Sequence, residues 1–221
     1  MKWPKIIVFV RHPESEGSAV GQEQRAAMKI PNHAYRATER GRKQAEFTRN
    51  YLRGRFSEFD AYLASTFIRT QELVSLLYPG ALVKIDPRLN EKWDGIFHQL
   101  SREEIDKEFP SARRVRERDG WYHHRAPGGE NGPDVEFRIR DLNRTLCEEY
   151  AGKQILIGCH GRWLILFQRH IHGFPPEEAE RRQKTREYFA PASVTIYTAT
   201  SDGNHIQLID ENIVPWQGKI D

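Results

Sequence analysis

The amino-acid sequence predicts an α/β protein built as a three-layer sandwich, in which a mostly parallel central sheet is flanked by helices. Two runs, at residues 5–10 and 154–159, are rich in β-branched and other large apolar residues, which is typical of strands buried on both faces of a parallel sheet. Segments with helical signals separate the predicted strands, and this alternation indicates parallel pairing. The composition shows no break, so we expect one domain of 221 residues with a lid or insertion at about residues 92–133.

Local signals set the order of elements in the first half of the chain. Thr38 is a favourable N-cap for a helix that reaches Leu52, with Ala45 and Phe47 also facing inward. Pro79 ends the following helix, because proline interrupts helical hydrogen bonding. The elements expected in order are a strand at residues 5–10, a polar loop at 11–32, a helix to residue 52, a strand at 61–64, a helix to residue 78 and a strand at 83–85.

The second half of the chain contains one segment without a regular pattern. Ser101 and Glu104 form a capping-box pattern that opens a helix reaching Phe109. Residues 110–133 are rich in Arg, Gly and Pro and show no clear period, so we interpret them as a long functional lid. The remaining elements expected are a helix at 134–149, a strand at 154–159, a helix at 162–170, a short charged helix from residue 176, and strands at 193–198 and 205–210.

Composition limits the possible classes of protein. A mean hydropathy of −0.73 and the lack of a long apolar run argue against a membrane-spanning helix. Cys147 and Cys159 are too few for a disulfide framework, so we expect two core thiols and a cytoplasmic location. The formal net charge of +3 suits an anionic small molecule as well as weak contact with nucleic acid. With no recognition motif, we expect neither a nucleic-acid partner nor a membrane, and a homodimer remains open.

Polar and charged side chains follow the ends of four predicted strands. In sheets of this kind, ligands bind beyond the carboxyl ends of the parallel strands, so the residues that leave the strands are the first candidates for a site. They are Arg11 and His12 after the first strand, Ser65 and Arg69 after the second, Glu91 after the third, and His160, Gly161 and Arg162 after the fourth. Two histidines and at least two arginines are therefore expected at one edge of the sheet.

This set of side chains favours phosphoryl transfer. A neutral imidazole is a nitrogen nucleophile near pH 7, because its ordinary pKa is about 6.5. Guanidinium groups stay protonated and bind phosphate oxygens in pairs, while a second histidine can donate to the same oxygens and a carboxyl group can protonate the leaving oxygen. Since these cations neutralise the phosphate, the chemistry requires no metal and no other cofactor.

Six short motifs, followed by Ala192-Ser193-Val194 in the predicted late strand, stand in order along most of the chain. They lie at residues 11–17 (Arg-His-Pro-Glu-Ser-Glu-Gly), 38–45 (Thr-Glu-Arg-Gly with Gln-Ala), 65–70 (Ser-Thr-Phe-Ile-Arg-Thr), 89–95 (Leu-Asn-Glu with Gly), 127–131 (Pro-Gly-Gly-Glu-Asn) and 160–161 (His-Gly). The ordered set resembles the histidine phosphatase superfamily, the phosphoglycerate-mutase-like proteins with an Arg-His-Gly signature. The resemblance extends from residue 5 to about residue 198, and it implies a phosphoglycerate-mutase-like fold.

The resemblance also implies a role for each main candidate. His12 would be the nucleophile that becomes phosphohistidine. Arg11 and Arg69 would clamp the phosphoryl group, and His160 would complete the pocket. Glu91 would donate a proton to the leaving group and later activate the attacking water.

The sequence departs from the family pattern at three positions. Pro13 replaces the usual glycine after the nucleophile, which removes an N–H and restricts His12 to extended conformations. Ser18 stands where the family often has a phosphate-binding asparagine, so it is a shorter phosphate-binding candidate. Arg162, where relatives often carry a small or apolar residue, would either reach the phosphate with Gly161 or cap a helix. We expect activity to be retained.

Several other residues have competing interpretations. The pairs His123-His124 and His170-x-His172 invite a metal site, but no cysteine or carboxylate stands at metal-site spacing, so surface or lid histidines are favoured. Glu130 competes with Glu91 as the acid. The arginines at residues 113–118 are either a solvated helix face or part of a lid that attracts an anionic substrate.

The function predicted is hydrolysis of a phosphate monoester of a small molecule through a phosphohistidine. The main alternative is a phosphoglycerate mutase, although the Arg-Arg-Ser-Tyr stretch and the longer closing tail of such mutases are missing from this sequence. A non-catalytic protein that binds a phosphorylated ligand is the second alternative, since the changes at Pro13 and Ser18 would permit it. A nucleic-acid-binding protein is the third.

Overall fold

A six-stranded sheet forms the centre of the computed structural model, which describes residues 2–185 and 188–220. The strands are β1 (Ile6–Arg11), β2 (Ala61–Ala64), β3 (Val83–Ile85), β4 (Gln154–Cys159), β5 (Val194–Ala199) and β6 (Ile206–Ile213). Their spatial order is β3-β2-β4-β1-β5-β6. The parallel pairs are β1 with β4, β4 with β2, and β2 with β3. Strand β5 pairs antiparallel with both β1 and β6. The prediction of a mostly parallel sheet is therefore confirmed.

The helices of the described residues begin at the predicted signals in most cases. They are α1 (Gln22–Met28), α2 (Glu39–Arg53), α3 (Ile68–Leu77), α4 (Arg102–Glu108), α5 (Ala112–His123), α6 (Gly132–Glu149), α7 (Gly161–His172) and α8 (Pro176–Lys184). The Thr38 hydroxyl accepts a hydrogen bond from the backbone N–H of Gly41, which caps α2. A capping box opens α4 at Ser101, as expected, and a second opens α6 at Asn131. None of these helices is long and apolar enough to cross a membrane.

Alternate side chains of the central strand point into two separate cores. Ile7 and Phe9 pack with apolar residues of α6 and α7 on one face of the sheet. Val8 and Val10 pack with apolar residues of α2 and α3 on the other face. Helices therefore cover both faces, which confirms the three-layer architecture, and β1 is held between two cores with its carboxyl end fixed.

Two segments predicted to be irregular contain helices. The expected loop at residues 11–32 includes α1, and the expected lid at residues 110–133 includes α5. Helix α1 buries none of its residues and has no side-chain N-cap, so the sequence lacks both of the usual helix signals. Helix α5 is arginine-rich and is interrupted by non-helical backbone at Gly120, which removes its periodicity. That residues 92–133 act as a lid stays a prediction.

Gly95 joins the segment after Glu91 to a turn at Pro127. Its φ of +56° is left-handed, and a Cβ atom there would lie 2.1 Å from the carbonyl oxygen of Pro127. We expect Gly95→Ala to lower the free energy of unfolding by about 3 kcal/mol, since it adds both backbone strain and a steric clash. Urea denaturation measures this change.

Gly54→Ala is the matched control for that substitution. Gly54 has a φ of −70°, and the atoms nearest to the place that an added Cβ would occupy are 3.6 Å away, so alanine is accommodated without strain. A loss of stability for Gly95→Ala no larger than that for Gly54→Ala would contradict the role assigned to Gly95.

Candidate active site

The ends of β1 and β4 bring two histidines together. His12 follows β1 directly, and its backbone N–H donates to the carbonyl oxygen of Cys159 at 2.9 Å. His160 follows β4, and the centroids of the two imidazole rings are 5.2 Å apart. Both rings are buried. His12 and His160 therefore lie together at one edge of the sheet, as expected.

The hydrogen bonding of His12 determines which ring nitrogen is free. Its Nδ1 lies 2.8 Å from the carbonyl oxygen of Pro13, and because a carbonyl only accepts, Nδ1 carries the proton and Nε2 carries the lone pair. Burial lowers the pKa of His12 well below its usual value, and the positive charges of Arg69 and Arg11 lower it further. The imidazole is therefore neutral and has a free Nε2 near pH 7.

His160 is fixed by a chain of hydroxyl groups. Its Nε2 is 2.8 Å from Ser65 Oγ, which is 2.8 Å from Thr70 Oγ1. The Thr70 hydroxyl donates to the carbonyl oxygen of Phe67, so Ser65 donates to Thr70 and accepts the Nε2 proton of His160. The lone pair on Nδ1 faces Nη2 of Arg69 at 3.4 Å. Burial, followed by the charge of Arg69, lowers the pKa of His160 well below its usual value.

The stability of the protein should depend on pH through these buried histidines. In the unfolded chain a histidine takes up a proton near pH 6.5, whereas folded His12 remains neutral there, so acid favours the unfolded state. Between pH 7 and pH 5, His12 alone should reduce the free energy of unfolding by about 2 kcal/mol. Urea denaturation at pH 7 and at pH 5 measures this change. The difference in the free energy of unfolding between the two pH values should be smaller in His12→Asn than in the wild type by that amount.

His33→Asn is the control, because His33 is exposed on the surface. It should keep the pH dependence of the wild type. Equal pH dependence in His12→Asn and wild type would show that the His12 pKa is not lowered by folding.

Two buried guanidinium groups flank the histidines. Arg69, at the start of α3, donates to the carbonyl oxygen of Asn32 at 2.7 Å, and burial lowers its pKa to about 10, so it remains a cation. Arg11 donates to the carbonyl oxygen of Phe189. The Cζ atom of its guanidinium group lies 4.5 Å from the centroid of the Tyr188 ring. The Nε atoms of both arginines are buried without a hydrogen-bond partner in the described part of the chain. This pair of cations favours an anion between them.

The loop that follows His12 is held by the motif at residues 38–45. The backbone N–H of Glu14 donates to Gln44 Oε1 at 2.8 Å, and the Glu14 carboxylate accepts from the Thr38 hydroxyl at 2.8 Å. A Cβ atom on Gly41 would lie 2.1 Å from the carbonyl oxygen of Glu14, so only glycine permits this approach of α2. The motif at residues 38–45 therefore holds the backbone of the loop after His12 in position.

Ser18 and His12 line one cavity, into which the site opens. Its hydroxyl accepts from the backbone N–H of Ser15 at 2.8 Å and donates to the carbonyl oxygen of Ser15 at 3.1 Å. These two hydrogen bonds join Ser18 to Ser15 within the loop that follows His12. Contact between Ser18 and phosphate stays a prediction.

Glu91 is buried against the N-terminus of α7. Its Oε1 accepts from the backbone N–H groups of Lys92 at 2.9 Å and Trp163 at 3.0 Å. Its Oε2 accepts from the backbone N–H of Arg162 at 3.2 Å. The competing carboxylate, Glu130, forms an ion pair with Arg138 at 2.9 Å and does not line the cavity. Glu91, and not Glu130, therefore lines the same cavity as His12, Arg11 and Arg69.

The two residues after His160 organise neighbouring segments. Arg162 pairs with Asp94 at 2.6 Å and donates to the carbonyl oxygen of Lys92 at 3.2 Å, which fastens the segment after Glu91 to α7. Burial alone would raise the pKa of Asp94, but Arg162 and Lys92 hold it below its usual value. A Cβ atom on Gly161 would lie 2.5 Å from the ring of Tyr188, so this glycine makes room for the ring that covers Arg11.

Several residues around the site carry no signal in the sequence. Tyr188 follows the charged helix α8 and does not leave a strand, and the carbonyl groups of Asn32 and Phe189 act through their backbone. Lys92 and Asp94 stand beside Glu91, and their acidic and basic types alone predict solvent-exposed side chains, whereas Lys92 is only 3% exposed. The sequence signal that could have pointed to Lys92 and Asp94 as residues of the site is their position directly after Glu91.

The site opens into a cavity of about 870 Å³. Its wall includes Arg11, His12, Arg69 and Glu91 together with residues of α1, α4 and α5. Within residues 2–185 and 188–220, no three His, Cys, Asp or Glu side chains are arranged to hold a metal ion. The volume accommodates a ligand considerably larger than a phosphate group.

A three-layer α/β fold with paired histidines and paired arginines beyond its parallel strands defines a class of phosphoryl-transfer proteins. The model of the histidine phosphatase superfamily (branch 1) matches residues 7–212, and the chain belongs to this family, as its motifs predicted. As a member of the family it is a phosphoric monoester hydrolase. The sequence matches no curated protein.

Solved structures with the same fold have low sequence identity. The α-ribazole phosphatase from Shigella flexneri is 20% identical with a TM-score of 0.76, and the match covers 95% of this chain and 98% of that one. A putative α-ribazole-5′-P phosphatase from Escherichia coli is 20% identical with a TM-score of 0.76, covering 96% and 98% of the two chains. Mycobacterial glucosyl-3-phosphoglycerate phosphatase in complex with VO3 is 21% identical with a TM-score of 0.73, covering 95% and 99%. These similarities concern the fold.

Proposed function

We propose that the protein hydrolyses phosphate monoesters of small molecules through a phosphohistidine formed at Nε2 of His12. The observation that carries this proposal is the position of the His12 imidazole beside two buried arginines. Its Nδ1 is hydrogen-bonded to the carbonyl oxygen of Pro13, and its Nε2 has no hydrogen-bond partner among the residues that the structure describes. The phosphoryl group would lie between Arg11 and Arg69, whose charges stabilise its oxygens as negative charge develops. His160 would complete the pocket beside Arg69, whose Nη2 lies 3.4 Å from its Nδ1.

The reaction would proceed in two steps. In the first, Nε2 of His12 forms a bond to phosphorus as the ester P–O bond breaks, and Glu91 protonates the leaving alcohol. In the second, the oxygen of a water molecule forms a bond to phosphorus as the bond between phosphorus and Nε2 of His12 breaks, Glu91 accepts a proton from that water, and inorganic phosphate leaves. The buried position of Glu91 at the wall of the cavity supports this assignment.

Hydrolysis of 4-nitrophenyl phosphate tests the proposal. The purified protein should release 4-nitrophenol at the same rate with and without an excess of EDTA, because arginines take the place of a metal. No release of 4-nitrophenol under either condition would contradict the proposal, and release only after addition of a divalent metal would contradict its metal-independence.

The mutase alternative differs in where the phosphoryl group goes. A phosphoglycerate mutase would return it to a sugar-acid hydroxyl and would interconvert 2- and 3-phosphoglycerate when primed with bisphosphoglycerate. We expect release of inorganic phosphate instead. A cytoplasmic location and a homodimer stay predictions.

A further inference from the structure

We propose that Glu130 and Arg138 are positioning residues, which hold the backbone on both sides of Glu91 so that its carboxyl group stays in place to protonate the leaving alcohol. Neither side chain lines the cavity, so both act through Glu91 and not on the substrate. This inference rests on the proposed function, because it assigns what holds the proton donor of that reaction.

Glu130 holds the backbone two residues after Glu91. The backbone N–H of Trp93 donates to Glu130 Oε2 at 2.9 Å, and the backbone N–H of Glu130 donates to the carbonyl oxygen of Trp93 at 2.8 Å. These two bonds use both peptide groups of Trp93, one on each side of its Cα atom. The backbone directly after Glu91 therefore cannot move without breaking a hydrogen bond to Glu130.

Arg138 holds the backbone three residues before Glu91. Its Nη1 donates to the carbonyl oxygen of Arg88 at 2.6 Å, and the indole Nε1 of Trp163 donates to the same oxygen at 2.9 Å. Two donors use both lone pairs of that carbonyl. The backbone N–H of Trp163 also donates to Oε1 of Glu91 at 3.0 Å, so Arg138 and the residue that binds the Glu91 carboxylate share one anchor point.

The ion pair between Glu130 and Arg138 joins these two contacts into one unit. Nε of Arg138 donates to Oε1 of Glu130 at 2.9 Å, and Nη2 donates to Oε2 at 3.1 Å, which leaves Nη1 for Arg88. Paired charge-assisted bonds fix the relative orientation of a guanidinium and a carboxylate more strictly than a single contact. Both side chains are partly buried, with 16% of Arg138 and 26% of Glu130 exposed. Residues 88 and 93 are therefore held by the same rigid pair.

The pair is anchored to the core of the protein. Helix α6, which carries Arg138, begins at a reciprocal capping box between Asn131 and Asp134. Val135 and Ile139 of the same helix are fully buried in the apolar core that includes residues of β1 and α7. The fold itself therefore determines where the ion pair lies, and the proton donor receives a fixed support.

The basicity of the leaving oxygen reveals whether an acid is correctly placed. An alkoxide is strongly basic and needs a proton as its bond to phosphorus breaks, whereas 4-nitrophenolate is weakly basic and leaves without one. The value of kcat/KM includes the steps up to the departure of the alcohol and excludes the later hydrolysis of the phosphohistidine. We therefore expect Glu130→Ala to lower kcat/KM about 10²-fold for propyl phosphate and about threefold or less for 4-nitrophenyl phosphate.

Glu136→Ala is the matched control. Glu136 is a carboxylate of α6 that forms an ion pair with Arg169 at 2.8 Å, and 14% of its side chain is exposed. In the described part of the chain, none of its hydrogen bonds reaches residues 88–93. Its substitution should change kcat/KM for both substrates by the same factor. Arg138→Lys, which keeps the charge but lacks the fork, should show a selective loss of about tenfold for propyl phosphate, and it provides the comparison if Glu130→Ala does not fold.

A double variant tests whether Glu130 acts through Glu91. Glu91→Gln should itself lower kcat/KM for propyl phosphate by at least about 10²-fold, because an amide cannot transfer a proton to the leaving oxygen. Adding Glu130→Ala to Glu91→Gln should then cause a further loss of about threefold or less, since no acid is left to be misplaced. A role in stability alone would lower kcat/KM by the same factor with and without Glu91.

The outcomes separate the inference from the proposed function. Equal losses for propyl phosphate and 4-nitrophenyl phosphate in Glu130→Ala and Arg138→Lys would overturn the positioning role alone, as would an undiminished effect of Glu130→Ala in the Glu91→Gln background. No effect of Glu91→Gln on propyl phosphate would overturn the assignment of Glu91 as the acid, and the inference with it. Failure of the wild type to hydrolyse either ester would overturn the proposed function itself.

Discussion

His12→Asn is expected to lower kcat/KM for 4-nitrophenyl phosphate by at least about 10⁴-fold. The asparagine amide nitrogen can occupy the position of the imidazole Nδ1 and keep the hydrogen bond to the carbonyl oxygen of Pro13, which is 2.8 Å long in the wild type. The variant has no atom at the position of Nε2. The substitution therefore removes the nucleophile with little change in the surrounding hydrogen bonds.

Release of 4-nitrophenol, followed at saturating and limiting substrate, measures this effect. His33→Asn is the control, because it makes the same change at an exposed residue, and it should retain wild-type activity. If His12→Asn kept more than about one-tenth of the wild-type kcat/KM, His12 would not be the nucleophile.

Arg69→Ala should produce the second largest loss, about 10²–10³-fold in kcat. Arg69 is 4% exposed, and its fixed position beside His160 allows it to stabilise phosphate oxygens without reorganisation. Among the residues that the structure describes, removing the guanidinium leaves Arg11 as the one cation beside His12 without an ion-pair partner. It also leaves the carbonyl oxygen of Asn32 without the donor that it has at 2.7 Å. Transition-state charge is then less well stabilised.

Arg69→Lys separates the effect of charge from that of geometry. Lysine keeps the positive charge but lacks the planar fork, so we expect an intermediate loss of activity. Thermal unfolding of both variants would identify any contribution from instability. Activity of Arg69→Ala within about fivefold of the wild type, in a folded protein, would contradict the assigned role.

The sequence allowed most of the sheet to be predicted, since its strands follow from apolar runs. The bounds of β2, β3 and β4 agree with the predicted ranges, whereas β1 and β5 are displaced by one residue and β6 extends three residues further. Helix α1 was missed, because it buries no residue. Helix α5 was expected only as one of two interpretations of the arginines at residues 113–118, because its sequence is polar and broken at Gly120. Their positions depend on tertiary contacts, which local patterns do not contain.

The candidate site was predictable to the extent that its residues leave strands. This reasoning grouped Arg11, His12, Arg69, Glu91 and His160, and the structure places all of them on or beside one cavity. It did not predict what these residues contact. The structure shows that Arg162 pairs with a carboxylate and that the Ser18 hydroxyl closes its own loop. Such contacts depend on segments far apart in the chain.

The change from glycine to proline at position 13 is compatible with this geometry. The position contributes its carbonyl oxygen, which accepts from Nδ1 of His12, and proline retains that carbonyl. The extended conformation that proline imposes on the preceding residue agrees with the continuation of His12 from β1, where its N–H donates to Cys159. Proline at this position therefore leaves the proposed nucleophile in place.

Direct detection of the phosphorylated residue tests the central claim. The enzyme is mixed with a rapidly cleaved aryl phosphate, quenched in alkali within one turnover, and digested for tandem mass spectrometry. We expect one phosphoryl group on the peptide that contains His12, located on that residue, stable in alkali and lost in acid. A phosphoryl group on a different residue, or unmodified peptide at a time when alcohol has been released in an amount equal to the enzyme, would contradict the account.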